Sequence, residues 1–201
     1  MNDKKYVLTG ETRMVHRNMV YRIKALRDFT CGDLKVAAGD LGGFVMAERN
    51  LGHYGTSWIT GNAIVADTAY VSGNALVAGE ARVLGHALVS DDARVGDEAV
   101  VAENAQITGH AVVAGKAQVF RAGRVYGDAR VDGEATVAGD AHIRGAAHVT
   151  DGADVRGNAI VQGDAWVGGT AKVADQAQVT GNARVGGHAE LRGFTYMDWS
   201  M

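Results

Sequence analysis

From Gly61 to Arg192 the chain repeats a pattern six residues long, 22 times over 132 residues. The third position is Ala in 21 hexads, Gly123 being the exception, and the fifth is Val in 19, with Ile107, Ile143 and Leu191 in the others. Positions three and five lie two apart, so in an extended segment both side chains point to one face, while positions four and six point to the other. Each hexad therefore predicts a short strand with one buried face. The first position is Gly in 15 hexads and mostly Asp elsewhere, and the second is rich in Asn, Asp, Glu and His. That is the chemistry of a corner needing positive φ, or of a side chain that bonds its own backbone.

Strands this short cannot bury an Ala/Val face alone. Coiling buries it, because successive turns stack at about 4.8 Å with parallel backbone pairing and the Val column fills the interior. The predicted class is all-β, a solenoid over residues 55–192, preceded by a capping segment at 1–54 and followed by an aromatic cap at 193–201. In that cap Phe194, Tyr196 and Trp199 abandon the hexad where the last coil needs a lid. In the leader, YVLTGE, VYRIKAL and DLGGFVMA read as strands or turns around Gly39, Gly42 and Gly43.

These hexads resemble the hexapeptide-repeat, left-handed parallel β-helix family, whose coils are triangular and contain three hexads. The resemblance covers 61–192, with GTSWIT at 55–60 an imperfect preceding hexad, and it implies a left hand, about seven coils and a rod on the order of 35 Å long. One departure stands out: the family often places Gly directly after the aliphatic residue, whereas here the regular Gly comes one later. The stretches YRIKALRDF, GDLGGFV and NLGHYGTSWITGNA, over residues 21–63, are similar to the leader of the bacterial and prophage YdcK group. That group carries a transferase label without established chemistry, and the likeness implies a bacterial or phage source.

Composition narrows the field further. The chain has 28 Gly, no Pro, 6% aromatic residues and a formal charge of -3, which argues against nucleic acid as a partner. Cys31 is the single cysteine, so neither an intrachain disulfide nor a Cys-rich metal site is expected, and no apolar run suggests export or membrane insertion. The expected location is the cytoplasm, the host cytosol of a bacterium.

Family acyltransferases usually place a His base near a loop extruded from the coils, with acyl-CoA between subunits of a trimer. Here the hexads run without an insertion. His86, His110 and His188 occupy corner positions, His142 and His148 outward ones, and His16 and His53 the leader. No catalytic residue, metal ligand or cofactor is assigned; acyl-CoA enters only if the chain is a loop-less acyltransferase.

Outward residues carry the remaining signal. Ile64, Tyr70, Leu76, Leu88, Val100 and Val112 place apolar side chains in the early coils on all faces, pointing to burial against another chain and, with the resemblance, to a homotrimer. At mid-rod, RAGRVY breaks the rule with Arg121 and Gly123. Arg124 and Tyr126 there stack under His142 and Arg144 one coil on, with Phe120 around the preceding corner, and loss of the Ala methyl at Gly123 is expected to let the strand bulge. Together Phe120, Arg121, Arg124, Tyr126, His142 and Arg144 suit a small anion carrying a flat ring. A second stripe comprises Arg130, His148, Trp166 and Arg184. Three functions compete: a non-catalytic, self-associating scaffold; a binding module or sponge for a nucleotide-like anion in intersubunit grooves; and the acyltransferase.

Overall fold

The computed structural model describes residues 4–15 and 17–199, the Trp199 side chain excepted. It is an all-β parallel solenoid of about nine turns with almost no helix, a single 3-10 turn at Glu48–Asn50 among the described residues. Strands recur every six residues, from Trp58–Ile59 and Ile64–Val65 to Glu190–Leu191. Each pairs in parallel with the strand 18 residues on, as Ile64 with Arg82 and Arg82 with Val100. Three sheets result. Sheet I runs through Ile64, Arg82 and Val100, sheet II through Tyr70, Leu88 and Gln106, and sheet III through Trp58, Leu76 and Arg94. The turns outnumber the expected seven because segments outside the hexads join the stack: Phe44 pairs with Ile64, Leu51 bridges to Val71, and Tyr196 pairs with Gln178.

The third and fifth positions are buried without interruption from Ala63 to Val185. Corners explain the first position. All seven hexads that lack Gly there, at Asp67, Asp91, Asp97, Glu103, Arg121, Asp151 and Asp175, hold it at φ between 55° and 61°. For an L-residue this conformation costs about 1–2 kcal/mol. The five aspartates offset that cost, each accepting the backbone N–H of the corner residue one turn on: Asp67 from Gly85 at 3.0 Å, Asp91 from Gly109 at 3.0 Å, Asp97 from Gly115 at 2.8 Å, Asp151 from Gly169 at 2.8 Å and Asp175 from Gly193 at 3.1 Å. Arg121 has no carboxylate with which to do so.

Gly123 does not produce a bulge. Arg124 pairs in unbroken register with Gln106 below and His142 above, and the Gly123 N–H donates to Phe120 O at 3.2 Å as in the Ala hexads. Backbone pairing on both sides holds the strand in place without the methyl.

The N-terminal segment starts as antiparallel sheet. Strand β1 (Tyr6–Val15) pairs with β2 (Asn18–Ala25), which pairs antiparallel with β5 (Leu41–Val45), and β5 enters sheet I in parallel. The Gly42–Gly43 step permits this docking: a β-carbon on Gly42 would lie 2.5 Å from Ile23 Cγ1 and 2.6 Å from Ile59 O. Tyr6, Ile23, Leu51 and Trp58 plug the open coil, each at most 1% exposed. Fully buried Asn50 fastens the 3-10 turn to the next coil through Ala69 O at 2.8 Å.

This segment also covers two of the sheets. Val20 and Phe44 bury Ile64 and Ala66 on sheet I. The hairpin of β3 (Phe29–Cys31) and β4 (Leu34–Val36) reaches sheet III, where Phe29 packs edge-on to Trp58 and Asp33 pairs with Arg94 at 3.1 Å. Ile64 is thus buried by its own chain, which removes it from the set of apolar residues awaiting a partner. At the far end Met197 and Leu191 pack on the core, while Phe194 and Tyr196 are 86% and 61% exposed. The expected aromatic lid is therefore not formed by these two side chains; the Trp199 side chain lies outside the described residues.

Candidate functional site

Sheet II differs from its neighbours in chemistry. Its outward fourth positions stack in register as Tyr70, Leu88, Gln106, Arg124, His142, Ile160 and Gln178. Its sixth positions are Ser72, Ser90, Thr108, Tyr126, Arg144, Gln162 and Thr180. None of these is Asp or Glu. On sheet I, by contrast, Arg156 pairs with Asp154, and Lys172 and Arg192 share Glu190. The hollow of about 370 Å³ there is lined by charges that already neutralise one another.

The mid-rod residues of sheet II form one connected group. The rings of Tyr126 and His142 meet edge to face, 5.9 Å between centroids at 79°. Tyr126 Oη lies 3.3 Å from His142 Nδ1 and accepts from Arg144 Nη1 at 3.4 Å, while Arg144 Nε donates to Gln162 Oε1 at 2.7 Å. Burial, reinforced by the nearby Arg124 and Arg144 charges and opposed by Asp140 at the corner, lowers the His142 pKa below its ordinary value. A neutral ring whose Nδ1 accepts the Tyr126 hydroxyl carries its proton on Nε2. Arg124 is exposed and has neither an ion pair nor a side-chain hydrogen bond among the described residues. Beside it, Gln106, Thr108, Arg124 and Tyr126 line a shallow hollow of about 310 Å³.

Four of the six expected residues are therefore brought together, Arg124, Tyr126, His142 and Arg144. Phe120 and Arg121 are not: Phe120 follows a strand of sheet I, Arg121 sits in the corner between sheets, and among the described residues no hydrogen bond, ion pair or ring contact links either to the group. Gln162, Gln106 and Thr108 complete the site. Reading the columns one further step of 18 in each direction finds them, since Gln162 follows Arg144 and Thr108 precedes Tyr126 by that interval.

The second stripe is contiguous, with Arg130, His148, Trp166 and Arg184 on successive strands of sheet III. Its charge is largely spent internally. Asp132 accepts from both Arg130 and His148. Burial works to raise the Asp132 pKa, yet hydrogen bonds from Thr150, Arg130 and His148 hold it below the usual carboxylate range. The Trp166 indole lies over Gly168 and Gly186, where a β-carbon on either would crowd it.

A second polar cluster lies inside the N-terminal plug. Lys5 is fully buried, donating to Ser57 O at 2.7 Å and Ser57 Oγ at 3.1 Å, and burial lowers its pKa to about 8. Burial likewise pushes the Cys31 thiol up. His53 stacks on Tyr6 at 4.5 Å and accepts the Lys5 N–H, so it is tied into the plug; His16 lies outside the described residues. Among the described residues no group of His, Cys, Asp and Glu is placed to hold a metal, and no helix is long and apolar enough to cross a membrane. A scan against protein-family models and a search of curated proteins find no match to this chain.

Proposed function

We propose that this chain is a non-catalytic scaffold or interaction protein, a left-handed triangular β-helix that associates with copies of itself as a homotrimer through sheet II. The observation that carries this reading is the uneven cover of the rod. The N-terminal segment packs on sheets I and III and leaves sheet II bare, with Tyr70 41% exposed and Leu88 half-buried. In a closed ring of three, each rod presents one face to a different face of the next. The outward apolar side chains of this face, Tyr70, Leu88 and Ile160, are then covered by the neighbouring rod.

The left hand and the bacterial or phage cytosol follow from the resemblance of the hexads and leader. Steady spacing of strands from Trp58 to Leu191 supports a scaffold over an acyltransferase, since it leaves no extruded loop to hold an acyl acceptor beside a base. Sedimentation of variants tests the proposal. Leu88→Glu on sheet II is expected to dissociate the assembly, and Arg156→Gln on sheet I to leave it intact. Equal sedimentation of wild type and Leu88→Glu as oligomers would remove sheet II from the interface.

A further inference from the structure

Sheet II carries a feature that self-association does not require. Of the outward basic residues in the solenoid, Arg94, Arg130, Arg156, Lys172 and Arg192 each face a carboxylate, while Arg82 and Arg184 lack one among the described residues but stand singly, beside Ile64 and Val100 and beside Trp166. Arg124 and Arg144 lie on adjacent turns of one sheet, flank one imidazole, and have no carboxylate partner. Two uncompensated guanidinium groups this close repel one another, so the arrangement is unfavourable unless an anion lies between them.

We propose that Arg124, Arg144 and His142 bind the phosphate of a small phosphate monoester, with the remainder of the ligand in the hollow lined by Gln106, Thr108 and Tyr126. Arg144 is preorganised for this role. Its Nε is held by Gln162 and its Nη1 by Tyr126, which fixes the plane of the fork and leaves Nη2 free to donate. Tyr126 in turn orients His142 so that Nε2 carries the proton and donates to the same oxyanion. The exposed Arg124 supplies the second guanidinium. About 310 Å³ of adjoining space, at the lower end of the range for small-molecule sites, accommodates a ring of nucleobase size, and the Gln106 amide and Thr108 hydroxyl offer it both donors and acceptors.

Titration calorimetry with inorganic phosphate, sulfate and adenosine monophosphate tests the site. Saturable one-to-one binding of phosphate is expected, tighter for the monophosphate than for the free ion if the hollow takes the ring and equal if the phosphate alone is recognised. Sulfate binding as tightly as phosphate would show nonspecific anion binding and overturn the assignment. Arg144→Gln is expected to weaken binding at least tenfold, Tyr126→Phe by about threefold through loss of positioning, and Arg156→Gln not at all. Each variant is checked for an unchanged melting temperature, and Arg144→Lys, which keeps the charge without the fork, is expected to bind between wild type and Gln. The proposal is overturned if no probe binds at millimolar concentration, or if Arg144→Gln and Arg156→Gln weaken binding equally. The site lies on the sheet proposed to join the rods, so the titrations are repeated with Leu88→Glu: phosphate binding by that variant supports the assignment whether or not the wild type assembles, and absence of binding to both chains overturns it.

Discussion

Sheets I and II are built from the same hexads on the same core, yet they treat their outer surface in opposite ways. Sheet I is covered at its N-terminal end, where Phe44 and Val20 bury Ile64, and at its far end its charges close on themselves around Glu190 and Asp154. Sheet II has no cover and no carboxylate at its outward positions from Tyr70 to Thr180, and its two arginines face solvent or one another's neighbours. Inward positions are fixed by packing and leave little room for variation. Function therefore has to be sought in positions four and six, and in which face the rest of the chain leaves open.

The most severe way to break the comparison is to remove the core both sheets share. Val125 lies inside sheet II and is fully buried. Val125→Asp places an unpaired carboxylate in a dry interior, and loss of the folded rod, covered face included, is expected by circular dichroism and melting. Next comes the cover itself. Phe44 is 1% exposed and is sandwiched by the guanidinium groups of Arg13 and Arg22 at 4.4 and 4.3 Å from its ring. Phe44→Ala is expected to cost about 3–5 kcal/mol and to expose Ile64, so that sheet I becomes sticky like sheet II. Chemical denaturation with a hydrophobic dye gives both readings.

Lys5 ties the plug to pH. Its folded pKa of about 8 lies below the ordinary 10.5, so above pH 8 the unfolded chain binds more protons and stability rises with pH. The rise is confined to roughly pH 8–9, because the thiol of Cys31 and the hydroxyl of Tyr6, both raised by burial, act in the opposite direction once their unfolded forms ionise near 9 and 10. Melting temperature is expected to increase across that window in the wild type and to stay flat in Lys5→Met. The smallest effect concerns the repeat's own exception. Arg121→Gly relieves a left-handed corner without a capping carboxylate and is expected to stabilise the rod by about 1 kcal/mol. Gly123→Ala meets Phe120 O and Val119 Cγ1 at 3.2 and 3.3 Å and is expected to be nearly neutral.

How much of this was legible follows from where the information sits. Near-invariance of Ala and Val defines the inward faces, and the 18-residue step by itself places Arg124 beside His142 and Arg130 beside His148. Gly at the first position announced positive φ, and the seven exceptions obey it too. The cover was not legible. Its pairing of β1 with β2, and its use of Phe44 over Ile64, rest on contacts between segments that share no repeat. Phe194 and Tyr196 misled because aromatic content alone does not say which way a side chain points at the end of a stack. Gln162 in the candidate site and Asp132 on the second stripe are not legible, because single polar side chains at variable positions gain meaning only when their neighbours one turn away are known.

The central claim, that a bare sheet II joins copies of this rod, is tested most directly by multi-angle light scattering of the wild-type chain at micromolar concentration. The account predicts a mass three times the 21.0 kDa of one chain. A single species at 21.0 kDa, unchanged on concentration, would contradict it.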